Sequence, residues 1–274
     1  PDAYRCRPRS SPRAGGGMTR WCAALLSALL LLLPQAVTAD DVEALYGRAL
    51  QASQSGDFVQ ALPLWNQVLE LSPQDAAALS NRGNVRLALG DPDGAIADQT
   101  RSIELAPEEL DPHLNRGTAE ETLQDWAAAE ADYLWILERD ATDASALYNL
   151  GKVRGSTGDW DSARRLYEEA ADARPGFAMA RSSAALAAWQ QLDLVRAEAE
   201  LRKLIRRYPL FADARAALSG LRWQGGFSGE AESHWAAAAG LDTRYRQKDW
   251  LLDVRRWPPQ PTQQLMAFLA LEDR

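Results

Sequence analysis

The stretch LGDPDGAIAD, residues 89–98, gathers three aspartates and two glycines in ten positions, the composition of an oxygen-rich metal loop. A calcium loop needs carboxylate or amide oxygens at alternate positions, a glycine at the sharp turn and a distant bidentate glutamate. Asp91 and Asp93 fit, but Ala95 stands where the third ligand belongs, Gly94 comes too early, and the twelfth position of a loop opened by Asp91 is Ser102. No metal is expected there. His113 and His234 lie 121 positions apart, so no histidine metal cluster is expected either. Adjacent carboxylates such as Glu108 with Glu109, or Glu120 with Glu121, point in different directions on a helix, which argues against a hydrolase working through paired carboxylates. No serine, histidine and acid constellation and no glycine-rich phosphate loop occurs. The expectation is a non-enzymatic chain with neither metal nor cofactor, a carboxylate-dependent hydrolase being the enzymatic alternative.

A different chemistry is carried by amides at regular spacing: Asn81, Asn115 and Asn149 recur every 34 residues, followed three positions later by Asn84, Thr118 and Lys152. Each amide side chain offers a donor and an acceptor, so a ladder of them can pair with the main chain of an extended peptide whatever its sequence. Such a ladder requires elements that repeat in register. Alanine recurs with the same period at Ala61, Ala95, Ala129, Ala163, Ala197 and Ala231, without insertion. Six units result: 42–75, 76–109, 110–143, 144–177, 178–211 and 212–245. Column eight of the unit is always small, in Ala49, Gly83, Gly117, Gly151, Ala185 and Ser219. Prolines 73, 107, 175 and 209 punctuate unit ends, while bulky residues stand at column seventeen in Phe58, Trp126 and Trp160 and at column twenty-four in Trp65, Tyr133, Tyr167 and Trp235.

The opening stretch then falls in the turn between two helices of the second unit. Its counterparts are SGDFVQA, LQDWAAA, TGDWDSA and QLDLVRA. Asp57, Asp91, Asp125, Asp159 and Asp193 share column sixteen, where a carboxylate caps the following helix by accepting its free amide hydrogens. A glycine just before it supplies the left-handed helix terminus in three of the five. The sixth unit reads GGFSGEA, with Phe227 at the capping column, so the cap is expected to shift to Ser228.

In these columns, and in ALSNRGNVRLALGDPDGAIADQTRSIELAP over residues 78–107, the chain resembles the tetratricopeptide repeat family across residues 42–245. The resemblance implies an all-α fold: a right-handed superhelical solenoid of six 34-residue helix-turn-helix repeats, followed by a C-terminal capping segment at 246–274. Neighbouring units must stack to bury their apolar faces. It also implies that function lies on the concave face, lined by columns two, five, six, nine, twelve and thirteen of each first helix. The residues this assigns to a peptide-binding groove are Tyr46, Asn81, Asn84, Asn115, Thr118, Tyr148, Asn149 and Lys152. The family's carboxylate clamp for chaperone tails is not expected: Asn84 and Asn115 match its asparagines, but Ser80, Ser145 and Asn149 occupy its basic positions.

Trp189 and Trp223 stand at column twelve of successive units, as an aromatic anchor for a partner's apolar side chains or as a seat for the chain's own tail. In that tail, Trp250, Leu251, Leu252 and Val254 form an apolar face, Pro258, Pro259 and Pro261 imply an extended segment, and Thr262 is placed to cap a short helix QQLMAFLALE. Its RRWPP and following Leu and Phe residues are similar to the ends of exported tetratricopeptide proteins of cyanobacteria and of the chloroplast thylakoid lumen.

Residues 18–39 read as an export signal, a short basic start, an apolar run from Ala23 to Leu33, then small residues at Val37 and Ala39, with cleavage expected before Asp40. Residues 1–17, which precede a plausible initiator at Met18, are expected to be translated upstream sequence or a disordered lead. Cys6 and Cys22 precede that cleavage site, so the processed chain is expected to hold no thiol. Residues 40–143 carry 21 acidic and 6 basic side chains, residues 144–274 carry 16 and 19. An acidic front disfavours nucleic acid and anionic lipid as partners. The composite expectation is a protein-binding scaffold exported to a periplasm or thylakoid lumen, without a membrane span after signal cleavage. It would hold peptide segments of partner proteins such as membrane-complex subunits; a self-associating structural protein is the alternative.

Overall fold

A computed structural model of the chain describes residues 39–272. Residues 1–38, which hold the expected lead and all but the last residue of the expected export signal, lie outside the described residues. No helix among those described is long and apolar enough to cross a membrane. They form six pairs of antiparallel α-helices, one pair per 34-residue unit. The pairs are α1 Ala39–Gln54 with α2 Phe58–Leu71, α3 Ala76–Ala88 with α4 Pro92–Leu105, and α5 Leu110–Thr122 with α6 Trp126–Leu137. They continue with α7 Ala144–Ser156 and α8 Trp160–Ala173, α9 Ala178–Gln190 and α10 Leu194–Arg207, α11 Ala212–Gln224 and α12 Ser228–Leu241. A 3₁₀ turn at Thr243–Arg246, a π-turn at Trp250–Val254 and a last helix α13, Pro259–Glu272, complete the chain. Among the described residues two compact units result, divided between Ala119 and Glu120.

Why each pair turns where it does is visible at columns fifteen and sixteen. Asp57, Asp91, Asp125, Asp159 and Asp193 each accept a hydrogen bond from the backbone N–H three residues on, at 2.9–3.2 Å. The metal-like stretch is thus a helix cap, Asp91 taking the Gly94 amide. The residue before each aspartate is left-handed: Gly56, Gly90 and Gly158 adopt φ of 78°, 84° and 88°, and Gln124 and Leu192 are held at 60° and 65° in the two turns without glycine. In the sixth unit the cap does not move to Ser228. Phe227 is the N-cap residue, with no side-chain hydrogen bond, because Gly226 at φ 80° keeps the turn in the same register as its predecessors.

Within a pair, close approach rests on the small columns. Column-twenty alanines 61, 95, 129, 163, 197 and 231 are all buried. A Cβ on Gly151 would lie 2.7 Å from the Tyr167 ring, so this glycine is what lets that ring pack against α7. In the first compact unit the core gathers Tyr46, Leu64, Trp65, Val68, Leu79 and Val85. In the second, the principal cluster runs from α9 to α13 and includes Trp189, Leu201, Leu218, Trp235, Leu251, Trp257, Leu265 and Phe268.

The tail departs from its expected form. Pro259 and Pro261 do not extend the chain; they sit in the first turn of α13, where the missing N–H groups would have had no intrahelical partner anyway. Thr262 lies inside that helix and donates its hydroxyl to the Pro258 carbonyl at 2.9 Å instead of capping. Val254 is exposed, so the apolar face before it ends at Leu252.

Candidate peptide-binding face

In the first compact unit, the inner columns bond to one another. Asn81 donates its Nδ2 to the Tyr46 hydroxyl, 3.2 Å, and Asn115 donates to Ser80 Oγ, 3.3 Å. In both cases column six of one repeat reaches column five of the repeat before it. Gln99, from α4, donates to Asn84 Oδ1 at 3.0 Å and to the Ser80 carbonyl at 2.9 Å. Tyr46 stands edge-on to Trp65, ring centroids 4.9 Å apart, and Trp65 Nε1 donates to Ser53 Oγ at 2.9 Å. Thr118 turns its hydroxyl back to the Leu114 carbonyl, 2.9 Å. Asn81 and Asn115, expected to offer their amides to a bound peptide, are 2% and 1% exposed, and each spends one donor on the preceding repeat. Their acceptors lie 35 residues away, one repeat period plus one.

In the second compact unit, Asn149 is half-buried. Tyr148 packs on Tyr167 and Phe177, centroids 5.5 and 5.0 Å away. Lys152 Nζ lies 3.0 Å from Glu121 Oε2, and the other oxygen of Glu121 accepts from the Tyr133 hydroxyl at 2.6 Å.

Further along the same inner columns the chain grips its own tail, and the anchor is Asp213 at column two. Its Oδ1 accepts from Arg255 Nε at 2.7 Å, Tyr245 OH at 2.9 Å and Trp257 Nε1 at 3.0 Å. Its Oδ2 accepts from Arg255 Nη2 at 2.7 Å and from Ser182 Oγ at 2.5 Å. Arg255 Nη1 faces the hydroxyls of Ser183 and Tyr148 at 3.4 and 3.5 Å. Asp213 and Arg255 are 1% and 9% exposed, so the pair is desolvated and worth keeping only because its geometry is bidentate and its spare lone pairs are filled. Burial by itself would raise the Asp213 carboxyl; the Arg255 charge and the hydrogen bonds from Arg255, Ser182 and Trp257 outweigh it and hold the group below the ordinary carboxylate value. Burial works against the charged form of Arg255 too, but the neighbouring carboxylate raises that guanidinium well above its usual value. Tyr245 is pushed far up by burial and by the Asp213 charge, so its hydroxyl stays a donor.

Trp189 and Trp223 do not form an exposed anchor. Trp189 is fully buried in the cluster that α13 completes, its Nε1 donating to Gln224 Oε1 at 2.7 Å, and Trp223 packs on Phe268 with centroids 5.6 Å apart. A Cβ on Gly220, at column nine, would stand 3.1 Å from the Leu265 backbone nitrogen, which shows how closely α13 lies on this face. Gln190, at column thirteen, accepts from the Gln260 amide at 2.8 Å. Sequence reasoning missed Asp213, Arg255, Tyr245, Trp257 and the two serines. The available signal was Arg255 beside Trp257 in the tail, a cation that once covered needs a carboxylate such as Asp213.

Among the described residues, no cluster of three or more histidine, cysteine, aspartate or glutamate side chains is placed to hold an ion. Burial lowers His234 below the usual imidazole value, and its Nε2 stands 3.7 Å from Glu230. A cavity of about 610 Å³ bordered by Phe177, Arg181, Lys203, Arg207 and Tyr208 lies off the inner columns; Asp172 pairs with Arg181 and Glu200 with Lys203, while Arg207 donates to the Tyr208 hydroxyl.

The tetratricopeptide repeat family matches residues 46–109, 114–176 and 151–210. Among solved structures, a tetratricopeptide repeat protein from Parabacteroides merdae superposes with a TM-score of 0.64 at 16% identity, over 85% of this chain and 86% of that one. PilW, a widely conserved type IV pilus biogenesis factor, gives 0.66 at 19% identity, over 74% and 94%. YrrB, a tetratricopeptide protein with an unusual peptide-binding site, gives 0.50 at 22% identity, over 64% and 90%. No curated protein sequence matches the chain. Repeats, helix caps and matched residues agree, and the chain belongs to the tetratricopeptide repeat family.

Proposed function

We propose that this protein is a non-enzymatic scaffold, exported to a periplasm or thylakoid lumen, that binds extended segments of partner proteins along the inner helices of its repeats. One observation carries the reading: the inner columns of α7, α9 and α11 hold residues 255–257 of the tail through the side chains of Tyr148, Ser183 and Asp213, the last braced by Ser182. The face that the family uses for partners is here shaped and charged to take a peptide. YrrB and PilW, one with a peptide-binding site and the other a pilus biogenesis factor, support the reading by likeness of fold. Subunits of a membrane complex are the partners that suit an exported scaffold.

The test is to select binders from a library of displayed peptides of about ten residues, long enough to follow several repeats in an extended form. Each binder is then challenged with the protein carrying a photo-crosslinking residue at half-buried Asn149 or, as control, at exposed Glu169. Crosslinks at 149 and none at 169 are expected. Absence of selectable binders, or crosslinks confined to 169, contradicts the reading.

A further inference from the structure

Two different kinds of contact hold the tail. Helix α13 is fixed by shape: Leu265, Phe268 and Leu269 fill apolar volume shared with Trp189, Leu218 and Leu221. Residues 255–257 are fixed by directed groups. Of five donors on the Asp213 carboxylate, three come from this one stretch, Arg255 through two nitrogens and Trp257 through its indole N–H. Between them, Arg256 is forced to a φ of 57°, a left-handed conformation costly for a side chain with a Cβ, and its guanidinium stands 5.1 Å from the Trp126 ring. Pro258 follows, buried. Covering the end of an array requires none of this, since apolar residues of equal volume cover a core as well as or better than a buried ion pair does. A desolvated, bidentate charge pair beside an aromatic slot is instead how a site distinguishes one ligand from another.

Building on the peptide-binding reading above, we propose that the inner face of α7, α9 and α11 is a recognition site for a partner's segment bearing, in order, arginine, any residue, tryptophan and proline, and that residues 255–258 occupy it as an internal competitor. The partner's arginine takes Asp213, its tryptophan enters the place of Trp257, and its proline keeps the segment extended. Because the tail is tethered beside the site, its effective concentration is on the order of millimolar. A partner must therefore add contacts or remove strain. Glycine at the second position removes it, so a segment Arg-Gly-Trp-Pro exchanges more readily than a copy of the tail.

The probe is a fluorescein-labelled peptide of residues 253–262, measured by polarisation against the full chain. Arg255→Ala loosens the tail and leaves every repeat-borne group in place. The peptide is expected to bind this variant at least tenfold more tightly than the unaltered chain, to bind more tightly still with glycine in place of its second arginine, and to lose binding when its first arginine is alanine. Adding Asp213→Asn to the variant should abolish capture. An Arg255→Ala chain with unchanged helical circular dichroism and no affinity for the peptide would overturn the proposal, leaving a permanent cap. If that variant does not fold, hydrogen exchange of the unaltered chain decides. Saturating peptide should speed exchange of the Arg255 and Trp257 amides while α9 stays protected; unchanged protection overturns the proposal, as does dimerisation through exchanged tails. Selected peptides that crosslink at 149 yet lack the arginine and tryptophan would keep the scaffold reading and defeat this one.

Discussion

In the first compact unit, Asn81 reaches back to Tyr46 and Asn115 to Ser80, so each repeat's amide is used on its predecessor. In the second, the same two columns carry Tyr148, Ser182 and Ser183, and all three turn instead to Arg255 or Asp213. Column five and column six thus serve either of two purposes, joining repeats or holding a segment laid across them. Spacing alone does not decide between them: Ser183 stands 35 positions after Tyr148, as Asn81 does after Tyr46, yet both hydroxyls face Arg255. An inner-column residue in this fold is not a ligand-binding residue merely because it faces inward.

Breaking the second arrangement should have the largest effect. Asp213→Ala leaves Arg255 buried without its counter-charge and is expected to cost about 3–5 kcal/mol, measured as a loss of urea resistance in the second unit, with hydrogen exchange of α1 to α4 unchanged. Protection lost equally in α1 to α4 would mean that the contrast between the units has no energetic basis. Acid offers a milder cut at the same place. The folded Asp213 carboxyl titrates below the ordinary value of 3.8, so its contribution is complete at neutral pH and fades as pH falls through 3.8 toward that lower folded value. Asp213→Asn should shrink the acid phase of the second unit, leaving the part that Asp159, Glu230 and Asp242, also held low, contribute.

The first arrangement is sharpened by a pair of alanine substitutions. Asn81→Ala removes a buried repeat-to-repeat hydrogen bond and should cost about 1 kcal/mol in chemical denaturation. Asn149→Ala, at the equivalent column without that bond, should stay within about 0.5 kcal/mol of the unaltered protein. Equal losses would show that column six stabilises by something other than the bond. The smallest effect is a gain: Leu192→Gly relieves a left-handed leucine at φ 65°, and with the relief partly offset by glycine's backbone entropy it should stabilise by about 0.5 kcal/mol or less, read as a higher melting temperature.

The helix pairs were legible because alanine and glycine at fixed spacing leave no other way to pack, and the five caps because aspartate recurs where each second helix starts. Phe227 shows the limit of reading one turn alone, since the glycine before it, and not the nearest hydroxyl, sets the register. The purpose of Asn81 and Asn115 could not be read from those residues by themselves, for it depends on Tyr46 and Ser80 in another unit. Asp213 was hidden for a similar reason: its partner lies 42 positions later, outside the periodic region. Periodicity reveals what every repeat shares, whereas the candidate site is built from what one repeat has and the others lack.

Repeat arrays assemble through contacts between neighbours, so their folding needs little long-range search and can begin at any unit. The hydrogen bond between Arg255 and Tyr148 closes a loop of 107 residues. Such a closure raises the contact order of the second unit and slows its last step. During synthesis, α7 to α12 can pair as they emerge, but their inner columns remain open until Trp257 has left the ribosome. For that interval the nascent chain presents Asp213, Ser182 and Trp189 to whatever peptide is near, and the time it takes to thread its own arginine into place sets how long a competitor has to arrive first.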